Sequence, residues 1–310
     1  MDELDARLAS YCDEQRAALL DELAQWIAVP SISADPAHAP DVRRCCELLV
    51  RRLSQIGLRA EVLETGGYPL AYGEWLGAPG KPTAIVYGHY DVQPADPLEL
   101  WESPPFTAQV RDGKIFGRGA VDDKGQVLMH VAAMEAYLRT FGELPINVKV
   151  IVEGEEEIGS PNFEAALARY GDRFKADVAL ISDTAVYAED VPSLTTSMRG
   201  LVSWEVAVYG PAEDLHSGYF GGLVLNPIEA LASILAQLKD ANGRVAVPGF
   251  YDGVPDLDAA TAAELRSLQF DETAQARDLG VSALGGEAGI APLHRQWFRP
   301  TLECNGIWGG

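Results

Sequence analysis

Basic side chains are scarce in this sequence: 24 Lys and Arg stand against 46 Asp and Glu, for a formal charge of −22. Phosphate backbones are held by clustered Lys and Arg, so this balance argues against a nucleic-acid partner and against an anionic membrane surface. Long apolar runs are missing too, and no stretch reaches the ~18 residues of a membrane-crossing helix. The start, Met1-Asp2-Glu3-Leu4-Asp5, is acidic and lacks the basic-then-apolar order of a signal peptide, so the expected location is cytoplasmic. Cysteine is rare: Cys12, Cys45, Cys46 and Cys304 show no C-x-x-C spacing and are expected to be reduced structural thiols. Repeats and low-complexity tracts are absent.

What is there is globular. The chain has 310 residues, 47% of them apolar, enough for one large domain or two ordinary ones. Leu4, Leu8, Tyr11, Leu19, Leu23 and Ile27 fall at helical spacings, and Pro30 ends that helix. A second helix runs from about Asp41 to the stop signal Gly57. Strands are expected at Leu58–Leu63, Leu70–Trp75, Thr83–Tyr87 and Ile146–Val152, and a buried one at Asp177–Ser182. Between them Val127, Val131, Met134, Leu138 and Phe141 stripe a helix from Lys124 to Phe141, closed by Gly142. Ser160-Pro161 reads as the capped start of another helix. This alternation predicts an α/β domain over 1–192, with a largely parallel sheet and helices on both faces. Beyond it, Leu201–Tyr209 alternates like a half-exposed antiparallel strand and Pro227–Lys239 reads as a helix, so 193–310 is expected to be a second, α+β domain.

Three of these strands end in residues that can bind a metal. Thr83–Gly88 leads to His89 and Asp91, Ile146–Val152 to Glu153, Glu155, Glu156 and Glu157, and Asp177–Ser182 to Asp183. Asp122-Asp123 lies in a glycine-framed turn just before the Lys124 helix. Sites in open α/β sheets form outside the carboxyl ends of strands, so parallel neighbours would bring these side chains together. Each alone has a plainer reading: Asp122-Asp123 as a helix cap, the glutamates as a solvated charge run. Adjacent carboxylates at a strand end repel unless cations neutralise them. Carboxylates with few imidazoles suit zinc, manganese or cobalt. Two such ions need a bridging carboxylate, and a further glutamate must take the proton of an attacking water.

Gly88-His89-Tyr90-Asp91-Val92-Gln93-Pro94, Gly117-Arg118-Gly119 and Asp122-Asp123-Lys124-Gly125 resemble the metallopeptidase superfamily of acetylornithine deacetylase, succinyl-diaminopimelate desuccinylase, aminoacylase and carboxypeptidase G. They look most like its cytosolic, carnosine-dipeptidase-like branch. The resemblance implies two divalent ions, zinc first, bridged by Asp122. His89 and Asp183 would complete one ion's site, and Glu157 would bind the other. Glu156 would be the general base, and Asp91 would orient His89. It also implies a cis Asp122–Asp123 peptide. Asp214-Leu215-His216-Ser217-Gly218 looks like the family's lid motif, whose histidine, here His216, would reach the active site of the other subunit of a homodimer. In the family the chain returns from the inserted lid to the catalytic domain and supplies a last metal-binding histidine. This sequence is expected to lack that segment, leaving both domains incomplete at the C-terminal side and one metal site without its imidazole. The implied activity is hydrolysis of dipeptides. Alternatives are an N-acyl amino acid deacylase acting on a short acyl-amino acid, and an inactive fragment that binds metal and dimerises.

Overall fold

A computed structural model describes residues 3–188, 191 and 193–309. The chain separates into two compact units, Met1–Ser193 and Leu194–Gly310. Pro192, at the expected boundary, lies outside the described residues.

The first unit opens with α1 (Glu3–Ile27) and α2 (Ala39–Gln55). Only the last turns of α1 reach the core, through Leu23, Trp26 and Ile27. In α2, Val42, Cys45, Cys46, Leu49 and Leu53 recur at helical spacing and are all buried. Each fully buried leucine of this kind stabilises by about 2 kcal/mol. Burial pushes the Cys45 thiol up and that of Cys46 up to about 12, so both stay protonated, and all four cysteines are free.

There follow β1 (Arg59–Leu63), β2 (Leu70–Trp75), β3 (Thr83–His89), the hairpin β4 (Gln109–Arg111) and β5 (Lys114–Phe116), α3 (Lys124–Phe141), β6 (Asn147–Glu153), α4 (Phe163–Phe174) and β7 (Val178–Ile181). Helix α3 ends where expected: Gly142 takes φ 79° and donates its N–H to Leu138 O at 3.0 Å. The main sheet has the order β1-β2-β6-β3-β7. β2 runs antiparallel to both neighbours, while β6, β3 and β7 are parallel, so every strand except β2 points the same way. Alternation sorts the two faces. Val86, Val148, Val150 and Val152 pack in one core with α1, α2 and α3. Tyr72 and Ile151 pack in another with Ala166 and Phe174 of α4. The expected mixed α/β layering is present, with the sheet between helices.

Four expectations need correction. β7 is an edge strand, not a buried one: Val178 is 55% and Ile181 53% exposed. Its apolar run reflects strand propensity and one paired side, and among the described residues no second strand covers the other. The helix after Glu157 begins at Phe163 with Asn162 as its N-cap residue. Ser160 instead adopts φ 51°, and its hydroxyl donates to Glu153 Oε1 at 2.9 Å. Leu201–Tyr209 is not a strand, and Leu201 and Trp204 are 90% and 82% exposed. Alternation decides which way side chains face once a strand is paired, but it does not supply a pairing partner. The second unit is accordingly not α+β: its described residues hold helices and one isolated bridge, Lys239–Val245, but no sheet.

The second unit contains α5 (Ser217–Phe220), α6 (Pro227–Gln237), α7 (Ala259–Ser267), α8 (Glu272–Asp278) and α9 (Pro292–Trp297). Four of these are capped by acceptor side chains: His216 takes the Gly218 N–H, Asn226 that of Ile228, Asp258 those of Ala260 and Thr261, and Asp271 those of Thr273 and Ala274. Its main polar knot is Glu287. The carboxylate accepts from Arg299 Nη2 at 2.7 Å and from Arg244 Nη1 at 2.8 Å, and both guanidinium groups stack on the Tyr251 ring. Desolvation pulls the Glu287 carboxyl up, but the two arginines outweigh it and hold it below the usual range. A depressed carboxylate contributes stability above its unfolded-state pKa and loses that contribution as pH falls through its folded-state pKa. We therefore expect thermal melts of the chain to show a loss of stability as the pH falls through the carboxylate range, part of which Glu287→Gln removes. An unchanged acid profile in that variant would assign the loss to other carboxylates.

Candidate metal centre

The site is assembled at the carboxyl ends of three adjacent parallel strands. His89 is the last residue of β3 and pairs in register with Glu153, the last of β6. The β3–β7 ladder stops at Tyr87–Ile181, two residues before Asp183. Asp122 comes from the turn leading into α3, and the Asp122–Asp123 peptide is cis. Asp123 is buried and accepts the His89 backbone N–H through Oδ2 at 3.1 Å. That contact requires Gly88, because a Cβ there would lie 2.4 Å from the same Oδ2 and 2.7 Å from Val127. Burial raises the Asp123 carboxyl to about 7, and its Oδ1 has no partner.

Around His89 the acids converge. Its Nε2 lies 3.0 Å from Asp122 Oδ1 and 3.7 Å from Asp183 Oδ2. Asp122 is 55% exposed, so the group is open to solvent on that side. His89, Asp122 and Asp183 can each direct one donor atom to a common point, and so can His89, Glu156 and Glu157. Glu156 and Glu157 stand on a 3-10 turn, Glu156–Ile158, directly beyond β6.

Asp91 ties the two groups together. It is fully buried. Its carbonyl oxygen lies 3.1 Å and its carboxylate 3.4 Å from His89 Nδ1. The carboxylate also accepts the backbone N–H groups of Glu156, at 3.3 Å, and Glu157, at 3.1 Å. One acidic side chain thereby fixes the imidazole and the start of the glutamate turn.

The acidic run beyond β6 divides its work. Adjacent carboxylates repel unless neutralised, but Glu155 escapes the crowd by turning away, accepting from the Tyr68 N–H and the Asn162 amide at 3.0 Å each. Glu153 is likewise buried and bonded, to Tyr87 Oη at 2.5 Å and to Ser160. Only Glu156 and Glu157 face the site. Burial raises both carboxyls, against the opposing pull of His89 on Glu156 and of the Gln93 hydrogen bond on Glu157.

Within the first unit, residues near the site make contacts that sequence spacing did not reveal. Gln93 Nε2 donates to Glu157 Oε2 at 2.7 Å, which gives the Val92-Gln93-Pro94 string a structural job. Lys124 is fully buried, and its ammonium donates to Trp26 O at 2.9 Å and Val29 O at 2.7 Å, tying the end of α1 to the start of α3. His130 Nε2 meets Ser182 Oγ at 2.7 Å, and burial lowers that imidazole's pKa. His216 belongs to the second unit, where it is exposed and caps α5 by accepting the Gly218 N–H through Nδ1 at 2.9 Å.

The group fits a divalent cation. His89 Nε2 is buried and has no hydrogen-bond partner, since the Asp122 oxygen beside it is not aligned for one. An orphaned buried ring nitrogen is unfavourable unless something else meets it. Burial alone would push the imidazole down, yet the surrounding Asp91, Asp123 and Asp183 carboxylates raise it to about 10. A field that holds a proton so strongly also favours a metal ion. One nitrogen with carboxylate oxygens is the donor set of zinc and its neighbours.

The chain is similar to known proteins along nearly its whole length. The Cys-Gly metallodipeptidase of Schizosaccharomyces pombe is 32% identical over 98% of this chain, which covers 66% of that relative. The Beta-Ala-His dipeptidase of Rattus norvegicus is 31% identical over 98% of the chain, covering 65% of it. The chain thus spans about two thirds of the length of the curated relatives it matches. Among solved structures, the dipeptidase Dug1p of Saccharomyces cerevisiae superposes with a TM-score of 0.79 at 25% identity, over 98% of this chain and 68% of that one. The model of peptidase family M20/M25/M40 matches residues 85–278, a span that takes in His89, Asp122, Glu156, Glu157 and Asp183. With that match covering more than half of its length, and with those relatives, the chain belongs to peptidase family M20/M25/M40.

Proposed function

We propose that this chain carries the metal centre of a dipeptidase that hydrolyses the peptide bond of dipeptides. The observation that supports it most is the buried, unpartnered Nε2 of His89 facing the Asp122 and Asp183 carboxylates. In this reading His89, Asp122 and Asp183 would hold one divalent ion, and Asp122 and Glu157 would hold a second. Zinc is the first choice of metal, with manganese and cobalt next. Such ions, when bound, polarise a carbonyl and acidify water.

The chain's own residues do the rest. Asp91 keeps His89 oriented and holds the glutamate turn in place through its backbone bonds. Glu156 removes the proton of the attacking water and returns it to the departing amine. The Nδ1 of His216 accepts a backbone N–H, so the neutral ring carries its proton on Nε2. That N–H is a donor suited to the oxyanion of a peptide held by a second copy of the chain, in a homodimer formed through a lid built on residues 193–310.

The test is metal content per chain together with hydrolysis of a small panel of dipeptides and acetyl-amino acids, with added zinc, manganese or cobalt. The expected result is bound divalent metal and chelator-sensitive cleavage that favours dipeptides. Preference for acetyl-amino acids would move the reading to a deacylase. Failure to bind any divalent ion would overturn it.

A further inference from the structure

We propose that His130 and Ser182 form a positioning pair that holds Asp183 in the metal centre. The inference rests on the metal reading above and deepens it. Asp183 is carried by the least secured strand of the sheet. β7 lies at the edge with its apolar side chains exposed, and its ladder to β3 ends at Ile181. Beyond that point the backbone bond of this segment is local, from Thr184 N–H to Ser182 O. Among the described residues the one side-chain hydrogen bond joining residues 182–184 to the rest of the unit is that between Ser182 Oγ and His130 Nε2, at 2.7 Å.

His130 is well placed for the task. It is half-buried on α3, the helix whose first residue, Lys124, follows Asp122-Asp123 directly. One rigid helix therefore anchors both carboxylates that approach His89 Nε2: Asp122 by continuity at its start, and Asp183 through the His130–Ser182 bond. The separations of 3.0 Å and 3.7 Å from His89 Nε2 depend on that spacing. A ligand on an untied strand end must be ordered when the ion arrives, and that entropy is subtracted from affinity.

The test is titration of the full chain with Co²⁺ alone, followed by visible absorption, for wild type, His130→Ala, Ser182→Ala and the double variant. Groups that orient metal ligands typically contribute 10–100-fold in affinity, and this pair acts one residue removed, so each single change should weaken Co²⁺ binding about tenfold. The double variant should be no weaker than either single, because both remove the same bond. His130→Gln, which can still reach Ser182, should recover part of the loss. A general loss of packing would not produce this coupling. Wild-type affinity in Ser182→Ala and His130→Ala, or losses that multiply in the double variant, would overturn the pair while leaving the metal centre standing. A wild-type chain that takes up no Co²⁺ would overturn the metal centre and the pair with it.

Discussion

On the proposed dipeptidase reading, replacing Glu156 with Gln in the metal-loaded chain should lower dipeptide turnover by about 10²–10⁴-fold, the usual contribution of a positioned general base. Bound metal should be unchanged. The substitution is nearly isosteric and keeps the backbone N–H that Asp91 accepts, so the turn is not disturbed. The Glu156 carboxylate has no hydrogen-bond partner among the described residues, which leaves it free to receive a proton. It can also be drawn as a metal donor, together with His89 and Glu157. Counting metal in the variant separates the roles. A base lost without loss of metal supports the proposal, whereas metal lost along with turnover would make Glu156 a ligand. Unchanged turnover would remove it from the chemistry altogether.

The second large effect is on stability. Lys124→Met should destabilise the chain by about 2–4 kcal/mol, measured as a shift in a urea unfolding midpoint, because two buried carbonyls lose a charged donor and gain no substitute. Its ammonium joins Trp26 O and Val29 O at the exit of α1, each of which otherwise keeps one backbone partner, the Val29 N–H at 3.2 Å and the Ser31 N–H at 2.9 Å. Methionine fills nearly the same volume, so the loss isolates the polar contribution from packing. Burying an ammonium is itself unfavourable, which keeps the expected figure below the sum of two free hydrogen bonds. A variant as stable as wild type would mean that the backbone N–H bonds from Val29 and Ser31 satisfy those carbonyls without the ammonium.

The first unit was largely legible because its elements carry redundant signals. α3 combines a 3.6-residue stripe with a terminal glycine, and it occupies Lys124–Phe141 as read. The strands of the sheet are short apolar runs between clear breaks, and three of them end in the acids that converge on His89. What failed were inferences from one signal alone. Ser160-Pro161 has the chemistry of a helix start, but the Ser160 hydroxyl is claimed by the buried Glu153, and the helix waits until Phe163. Leu201–Tyr209 has the right alternation without a neighbour to pair with. Glu155 shares the charge of its neighbours but meets the Asn162 amide, a contact no local pattern encodes. His130 showed nothing in sequence, because its partner Ser182 is distant along the chain and serine is common everywhere.

The parallel pairing of β3 with β7 has a consequence for how the molecule comes into being. Parallel neighbours cannot be joined by a tight turn, so the chain must complete α3, β6 and α4 before Asp183 can stand beside His89. Contacts of such long sequence separation form late and slowly, after local helices and hairpins are in place. The group of His89, Asp122 and Asp183 is not assembled until that last strand docks. An ion held by that group would therefore not template the docking of β7; it would lock a sheet that has already closed.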